Sequence, residues 1–270
     1  LDLDSVGWVE ERNPTLLTKI RCWALALRRV RLHSTQPTQL NKTKIKRSVI
    51  WCFGMRVLIT GFEPNDDGLN ASELVVVSLR DNPTQEIGQY VDCIDFKILP
   101  GNTNTLGHVV DETLKAFSPD ICIGIGQARG YNKIAIERMA KNLRYFVTLD
   151  AAGNAPKGKP IVPNAPIAYW DCLADPEDLV SLLESHNIPT RISNDCGTHL
   201  CNQVFYHFLH WKEIHNSDMK VGFIHIPALP EQVIKYWSES PFMPIEMTRK
   251  ALSLIISRQI QSVDPSLYVG

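Results

Sequence analysis

No apolar run in this chain is long enough to span a bilayer, and the first residues lack the charged, apolar, small-residue order of a secretory leader. A cytoplasmic protein is expected. Excess charge of either sign is missing too: 28 Lys and Arg stand against 29 Asp and Glu, a net charge of -1. That balance gives no general argument for nucleic acid or a membrane surface as a partner. The seven cysteines (Cys22, Cys52, Cys93, Cys122, Cys172, Cys196, Cys201) contain no CxxC pair, which argues against a zinc knuckle and against a disulfide framework. An odd, scattered set suits a reducing compartment, where at least one thiol stays free. What is present is ordinary: 270 residues, 44% hydrophobic and 21% charged, enough for one globular domain, alone or with an appendage.

Residues 1–54 differ from the rest. Arg12, Lys19, Arg21, Arg28, Arg29, Arg31, Lys42, Lys44, Lys46 and Arg47 face only Asp2, Asp4, Glu10 and Glu11, and "HSTQPTQLNKTK" is polar without period. An organelle transit peptide or a nucleic-acid arm would fit such a segment, but acidic residues at the very front argue against the first. The plainer expectation is a loosely ordered extension, with a domain covering 55–270 that starts at Met55 in the clean strand "MRVLITGF".

From Met55 the pattern alternates. "MRVLITGF", "VDCIDFKILP", "DICIGIG", "NKIAIERMAKN", "TRIS" and "KVGFIHIP" read as strands. "SELVVVSLR", "TNTLGHVVDETLKAF", "DPEDLVSLLESHNI", the segment after Cys201 and "IEMTRKALSLIISRQIQ" read as helices. Alternating elements predict an α/β domain, three-layered, with helices on both faces of a mostly parallel, twisted central sheet. Sites in such sheets lie beyond the carboxyl ends of strands, which singles out "GFEP", "GIGQARG" and "HIP".

Three chemistries compete for those places. "GIGQARG" looks like a dinucleotide loop, yet the following "YNKIAIERM" alternates as a strand and offers no helix N-terminus to a pyrophosphate. His207 and His210 are three apart on a predicted helix, but Phe208, Leu209 and Trp211 surround them and no carboxylate has matching spacing, so zinc is not expected there. A thiol nucleophile is the third. Cys201 falls in the first turn of a helix, where unpaired N–H groups and the positive dipole end favour a thiolate. His225 ends an apolar strand just before Pro227 and could serve as base; Glu137, a carboxylate inside "IAIERMA", could orient it. Each has an inert alternative: Cys201 as core, His225 as a merely bonded histidine, Glu137 paired with Arg138 or Arg144. His199, two positions from Cys201, is a rival base that points away from it.

The motifs "LITGFEP", "GIGQARG" with Gln127, "IERMAKN" with Glu137, "SNDCGTHLCNQVFY" with Cys201 and "GFIHIPALPEQ" with His225 resemble, in order and spacing, the type I pyroglutamyl peptidases, also called pyrrolidone-carboxylate peptidases. The resemblance runs from Met55 to the last helix. It implies a phosphorylase/hydrolase-like fold and a thiol exopeptidase that removes an N-terminal pyroglutamyl residue from peptides, with Cys201 as nucleophile, His225 as base and then acid, and Glu137 orienting His225. It implies no metal and no organic cofactor, and it allows a homo-oligomer. Phe62 and Leu200 should wall the slot for the uncharged lactam, and Asn70 and Gln127 should fix the site's backbone or the lactam itself.

Departures accompany the resemblance. Asn65 stands where a second Phe is usual, Val147 where an Arg is common, and Cys196 and His199 where Ala and Tyr are more usual; Arg144 is the expected substitute for the missing cation. They motivate an alternative from another class, a homologue that binds lactam-capped peptide ends without turning them over.

Overall fold

The computed structural model describes residues 55–64, 68–171 and 173–263, and of Val91 the backbone alone. The basic segment 1–54 and Asn65, with the expectations attached to them, lie outside the described residues.

A six-stranded sheet forms the centre, from β1 (Val57–Phe62), β2 (Ile94–Leu99), β3 (Ile121–Gln127), β4 (Ile134–Glu137), β7 (Thr190–Ser193) and β8 (Lys220–Ile226). Their order across the sheet is β2-β1-β3-β8-β4-β7, and β5 (Met139–Lys141) with β6 (Ala168–Trp170) makes a separate antiparallel pair. All neighbours in the large sheet are parallel except β8 and β4. The expected mostly parallel sheet is therefore present, with one reversal, and that reversal lies where the candidate residues gather.

Strand alternation sorts the core into two layers. Ile121, Ile123 and Ile125 of β3, Ile134 and Ile136 of β4, and Ile224 and Ile226 of β8 face one side. There they pack on helices α1 (Ala71–Asp81), α4 (Pro176–Ser185) and α7 (Ile245–Val263), with Ile87 of the single-turn α2 (Gln85–Gly88). On the other side, Leu58, Cys122, Val221 and Phe223 meet α3 (Thr103–Phe117) and α5 (Leu200–Ile214). The three-layer expectation holds. A further helix, α6 (Pro230–Tyr236), follows β8. Among the described residues, no helix is long and apolar enough to cross a membrane.

Helix α5 is the element that matters most. Val204, Phe205 and Phe208 are buried against the sheet, each contributing about 1.5–3 kcal/mol of hydrophobic stabilisation. Asn202 is fully buried and exchanges side-chain bonds with the backbone of Lys141 and Leu143, while Gln203 pairs with Thr103 at the start of α3. The first turn of α5 is thus held by packing on one side and hydrogen bonds on the other, and Cys201 belongs to that turn.

Candidate active site

His225 is on β8 and shares the face of Phe223 toward α5, because Ile224 and Ile226 point the other way. Glu137 is on β4, and the antiparallel register sets Ala135 opposite His225 and Glu137 opposite Phe223. The carboxylate therefore reaches the imidazole diagonally: Nδ1 of His225 donates to Oε1 of Glu137 at 2.8 Å. Glu137 has no solvent exposure, and its other oxygen, Oε2, is buried without a hydrogen-bond partner. The alternative partners for Glu137 are engaged elsewhere, Arg138 with Asp171 at 2.6 Å and Arg144 with the Pro160 carbonyl.

With Nδ1 committed to Glu137, Cys201 is the other group that acts on the His225 ring. Burial alone would lower the pKa of His225. The charge of Cys201, the hydrogen bond to it and the Glu137 carboxylate outweigh burial and push the pKa up to about 9. The surroundings thus favour the protonated, charged imidazole at neutral pH.

Cys201 is the second residue of α5. Its helix has His199 at the N-cap without a side-chain cap, so the leading N–H groups of Leu200 and Cys201 are left for a ligand. Room for the sulfur comes from β3: a Cβ built on Gly126 would stand 2.7 Å from Cys201 Sγ and 2.9 Å from the Phe223 ring. Glycine is required there by close approach, and no nucleotide loop is formed, since strand β4 follows β3 without an intervening helix.

Two clefts open on the thiol. The first, about 590 Å³, is lined by Phe62, Asn70, Gln127, Leu200 and Cys201 together with Arg129 and Trp237. All the predicted slot residues are thus in one place. Asn70 caps α1: its Oδ1 accepts from the Ser72 N–H and hydroxyl, its Nδ2 donates to the Glu63 carbonyl, and Ser72 Oγ in turn accepts from the Phe62 N–H. Asn70 accordingly holds the strand end that carries Phe62. Gln127 Oε1 accepts from the Ala71 N–H at 2.7 Å and from Gln232 Nε2 at 2.9 Å, which leaves its NH2 as the donor for the cleft. The second cleft, about 520 Å³, is lined by Tyr131, Arg191, Asp195, Cys196, His225 and, again, Cys201.

His199 stacks on Phe146 at 3.8 Å between ring centroids, and burial keeps its pKa below the ordinary value. His207 sits over Gly107, with burial lowering its pKa to about 4, and His210 pairs with the Tyr169 hydroxyl. Val147 is 84% exposed and lines neither cleft. Arg144, the expected substitute cation, does not reach the site either; the cation in the first cleft is Arg129, set over the Trp237 ring at 4.8 Å. Arg129 is inside "GIGQARG", a segment already singled out, but its aromatic partner is far away in sequence and carried no signal. Gln232, which supports Gln127, closes the motif "GFIHIPALPEQ" but had no role assigned to it, and Asp150, at the far wall, was unmarked.

The part of the chain that carries this arrangement matches known proteins. The family model described as pyroglutamyl peptidase matches residues 55–262. A pyrrolidone-carboxylate peptidase of Bacillus mycoides strain KBAB4 is 37% identical over 205 residues, covering 74% of this chain and 90% of the relative. The crystal structure of pyroglutamyl peptidase I from Bacillus amyloliquefaciens is 31% identical with a TM-score of 0.68, covering 76% of this chain and 97% of that one. A mutant pyrrolidone carboxyl peptidase from the hyperthermophile Pyrococcus furiosus is 32% identical with a TM-score of 0.70, covering 77% and 100%. Sheet, thiol helix and family match thus converge, and the chain belongs to the pyroglutamyl peptidases, a family of cysteine peptidases.

Proposed function

We propose that Cys201, His225 and Glu137 carry the family's reaction in this chain, hydrolysis of the amide bond that follows an N-terminal pyroglutamyl residue. The observation that supports this most directly is the hydrogen bond from His225 to a fully buried Glu137, with Cys201 and His225 lining one cleft. The Cys201 thiolate attacks the pyroglutamyl carbonyl carbon, and the developing oxyanion meets the free N–H groups at the start of α5. His225 then gives its proton to the leaving amine as the C–N bond breaks. Water, relieved of a proton by His225, cleaves the thioester and releases pyroglutamate.

The lactam ring enters the first cleft, between Phe62 and Leu200, where the Gln127 NH2 group donates to the ring carbonyl. An uncharged ring suits the apolar walls that Phe62 and Leu200 give this slot. The peptide beyond the scissile bond leaves through the second cleft. Peptides with pyroglutamyl ends are the partners, the domain runs from Met55, and a cytoplasmic role in peptide turnover goes with that reading.

Release of a reporter amine from a pyroglutamyl amide tests the reading. Wild-type chain should be active under reducing conditions and Cys201→Ser inactive; a folded, reduced wild type without activity would refute it.

A further inference from the structure

The catalytic pair has a third neighbour that hydrolysis does not use. Cys196, in the turn between β7 and α5, is 3% exposed, and its Sγ lies with a carboxylate oxygen of Glu137 and a ring nitrogen of His225 in a cluster whose members are all within 4.8 Å of one another. We propose that Glu137, Cys196 and His225 form a binding site for Zn2+, and that the ion holds the peptidase inactive by taking His225 from Cys201.

The donor set is one that zinc accepts: thiolate sulfur at about 2.3 Å, imidazole nitrogen at about 2.0–2.1 Å and carboxylate oxygen at about 2.0–2.2 Å. Tetrahedral geometry then separates ligand atoms by about 3.4–3.6 Å, so the widest separation need contract by about 1.2–1.4 Å at most. Glu137 brings an oxygen to spare, because Oε2 is buried and has no hydrogen-bond partner among the described residues. Access is through the second cleft, which Cys196 and His225 both line. Coordination displaces the protons of the Cys196 thiol and the His225 ring, so the imidazole can no longer serve Cys201.

Inhibition, though not binding, rests on the catalytic roles given above, and the experiment separates the two. Binding is read by competing full-length, reduced chain with a chromophoric chelator for Zn2+, in a Cys201→Ser background that needs no activity. One ion per chain is expected, with affinity falling at least about tenfold in Cys196→Ala and in the nearly isosteric Cys196→Ser. Co2+ in place of Zn2+ should give a thiolate-to-metal absorption band that the Cys196 variants lack. In the active chain, the Zn2+ concentration for half-inhibition should rise by the same factor when Cys196 is replaced. Zn2+ binding that is unchanged in the Cys196 variants, or that follows Cys201 instead, overturns the proposal. Cys196-dependent binding in a chain that proves to have no peptidase activity would leave the site standing and refute only the catalytic reading.

Discussion

Nδ1 of His225 stands 2.8 Å from Oε1 of Glu137, and that carboxylate is wholly shielded from solvent. The pair fixes which ring nitrogen faces Cys201, and it holds the proton that the leaving amine will need. Glu137→Gln keeps the shape and removes the charge. The imidazolium then loses an anion, so the His225 pKa falls from about 9 toward the ordinary value. kcat/KM for a pyroglutamyl reporter should drop about 10²–10⁴-fold, the usual worth of general acid–base assistance. The alkaline limb of the pH–rate profile should move down. Stability follows with the same sign: a raised pKa in the folded state adds stability that is complete below the unfolded value and is lost as pH rises through about 9. The variant's deficit in Tm should therefore be larger at neutral pH than above pH 9; an equal deficit at both would remove the ion pair from the account.

Gly126 offers a second, purely steric test. A Cβ there would meet Cys201 Sγ at 2.7 Å and the Phe223 ring at 2.9 Å. Phe223 is fully buried and cannot yield easily, so the sulfur must move. Gly126→Ala should cost about 100-fold in kcat, the scale of a 1 Å displacement at the reacting atoms. Circular dichroism should show an intact fold; kinetics within a factor of two of wild type would mean that the thiol site is looser than this geometry says.

Gln127 can be asked whether it holds backbone or substrate. Its Oε1 already takes two donors, from Ala71 and Gln232. Gln127→Glu retains an acceptor for both and loses the NH2 donor. If the lactam carbonyl uses that donor, KM should rise about tenfold or more while Tm stays near wild type, since a buried acceptor left unpaired costs about 1–3 kcal/mol. A fall in Tm with unchanged KM would assign Gln127 to the scaffold alone.

Asp150 supports the cleft's far wall. Burial would raise its pKa, yet the N–H groups of Thr103, Asn154 and Ala152 and the Asn154 side chain hold it below the ordinary range. Its contribution is present above the unfolded pKa and lost as pH falls through the lowered one. Asp150→Ala leaves those donors unpaired and should destabilise by about 1–3 kcal/mol in urea titration. The difference from wild type should shrink in acid.

Much of this was legible before the structure. The strand "DICIGIG" announced itself by alternation, since every second residue is a β-branched isoleucine that fills one core layer. Glu137 stood out as a carboxylate in an apolar strand; Arg138 stayed open as its partner until the structure set it on Asp171, neighbours on a strand pointing to opposite faces. The reversal of β4 went unread. Hydrophobic period does not carry strand direction; loop length does, and the connection 128–133 is too short for a parallel crossover, which needs about a dozen residues. That reversal is what sets Glu137 diagonally across from His225. The Arg129–Trp237 stack stayed hidden for another reason: a cation over a ring leaves no spacing pattern when its halves come from different loops.

The described free thiols should differ in reactivity, and the order tests the electrostatics of the site directly. Cys201 opens on both clefts beside a histidine whose pKa is about 9, so a positive charge stays next to the sulfur in mild acid. Cys122 is fully buried on β3. Cys196 is 3% exposed, and burial together with the neighbouring charges raises its pKa further. Iodoacetamide near pH 6 should therefore label Cys201 ahead of Cys122 and Cys196, with loss of activity in step, as peptide mapping can show. Glu137→Gln should slow the labelling at that pH, because a weaker imidazolium holds less thiolate. Equal labelling of Cys196 would mean that the turn before α5 opens far more often than its packing suggests, and labelling of Cys201 only in alkali would leave it an ordinary thiol at a helix end.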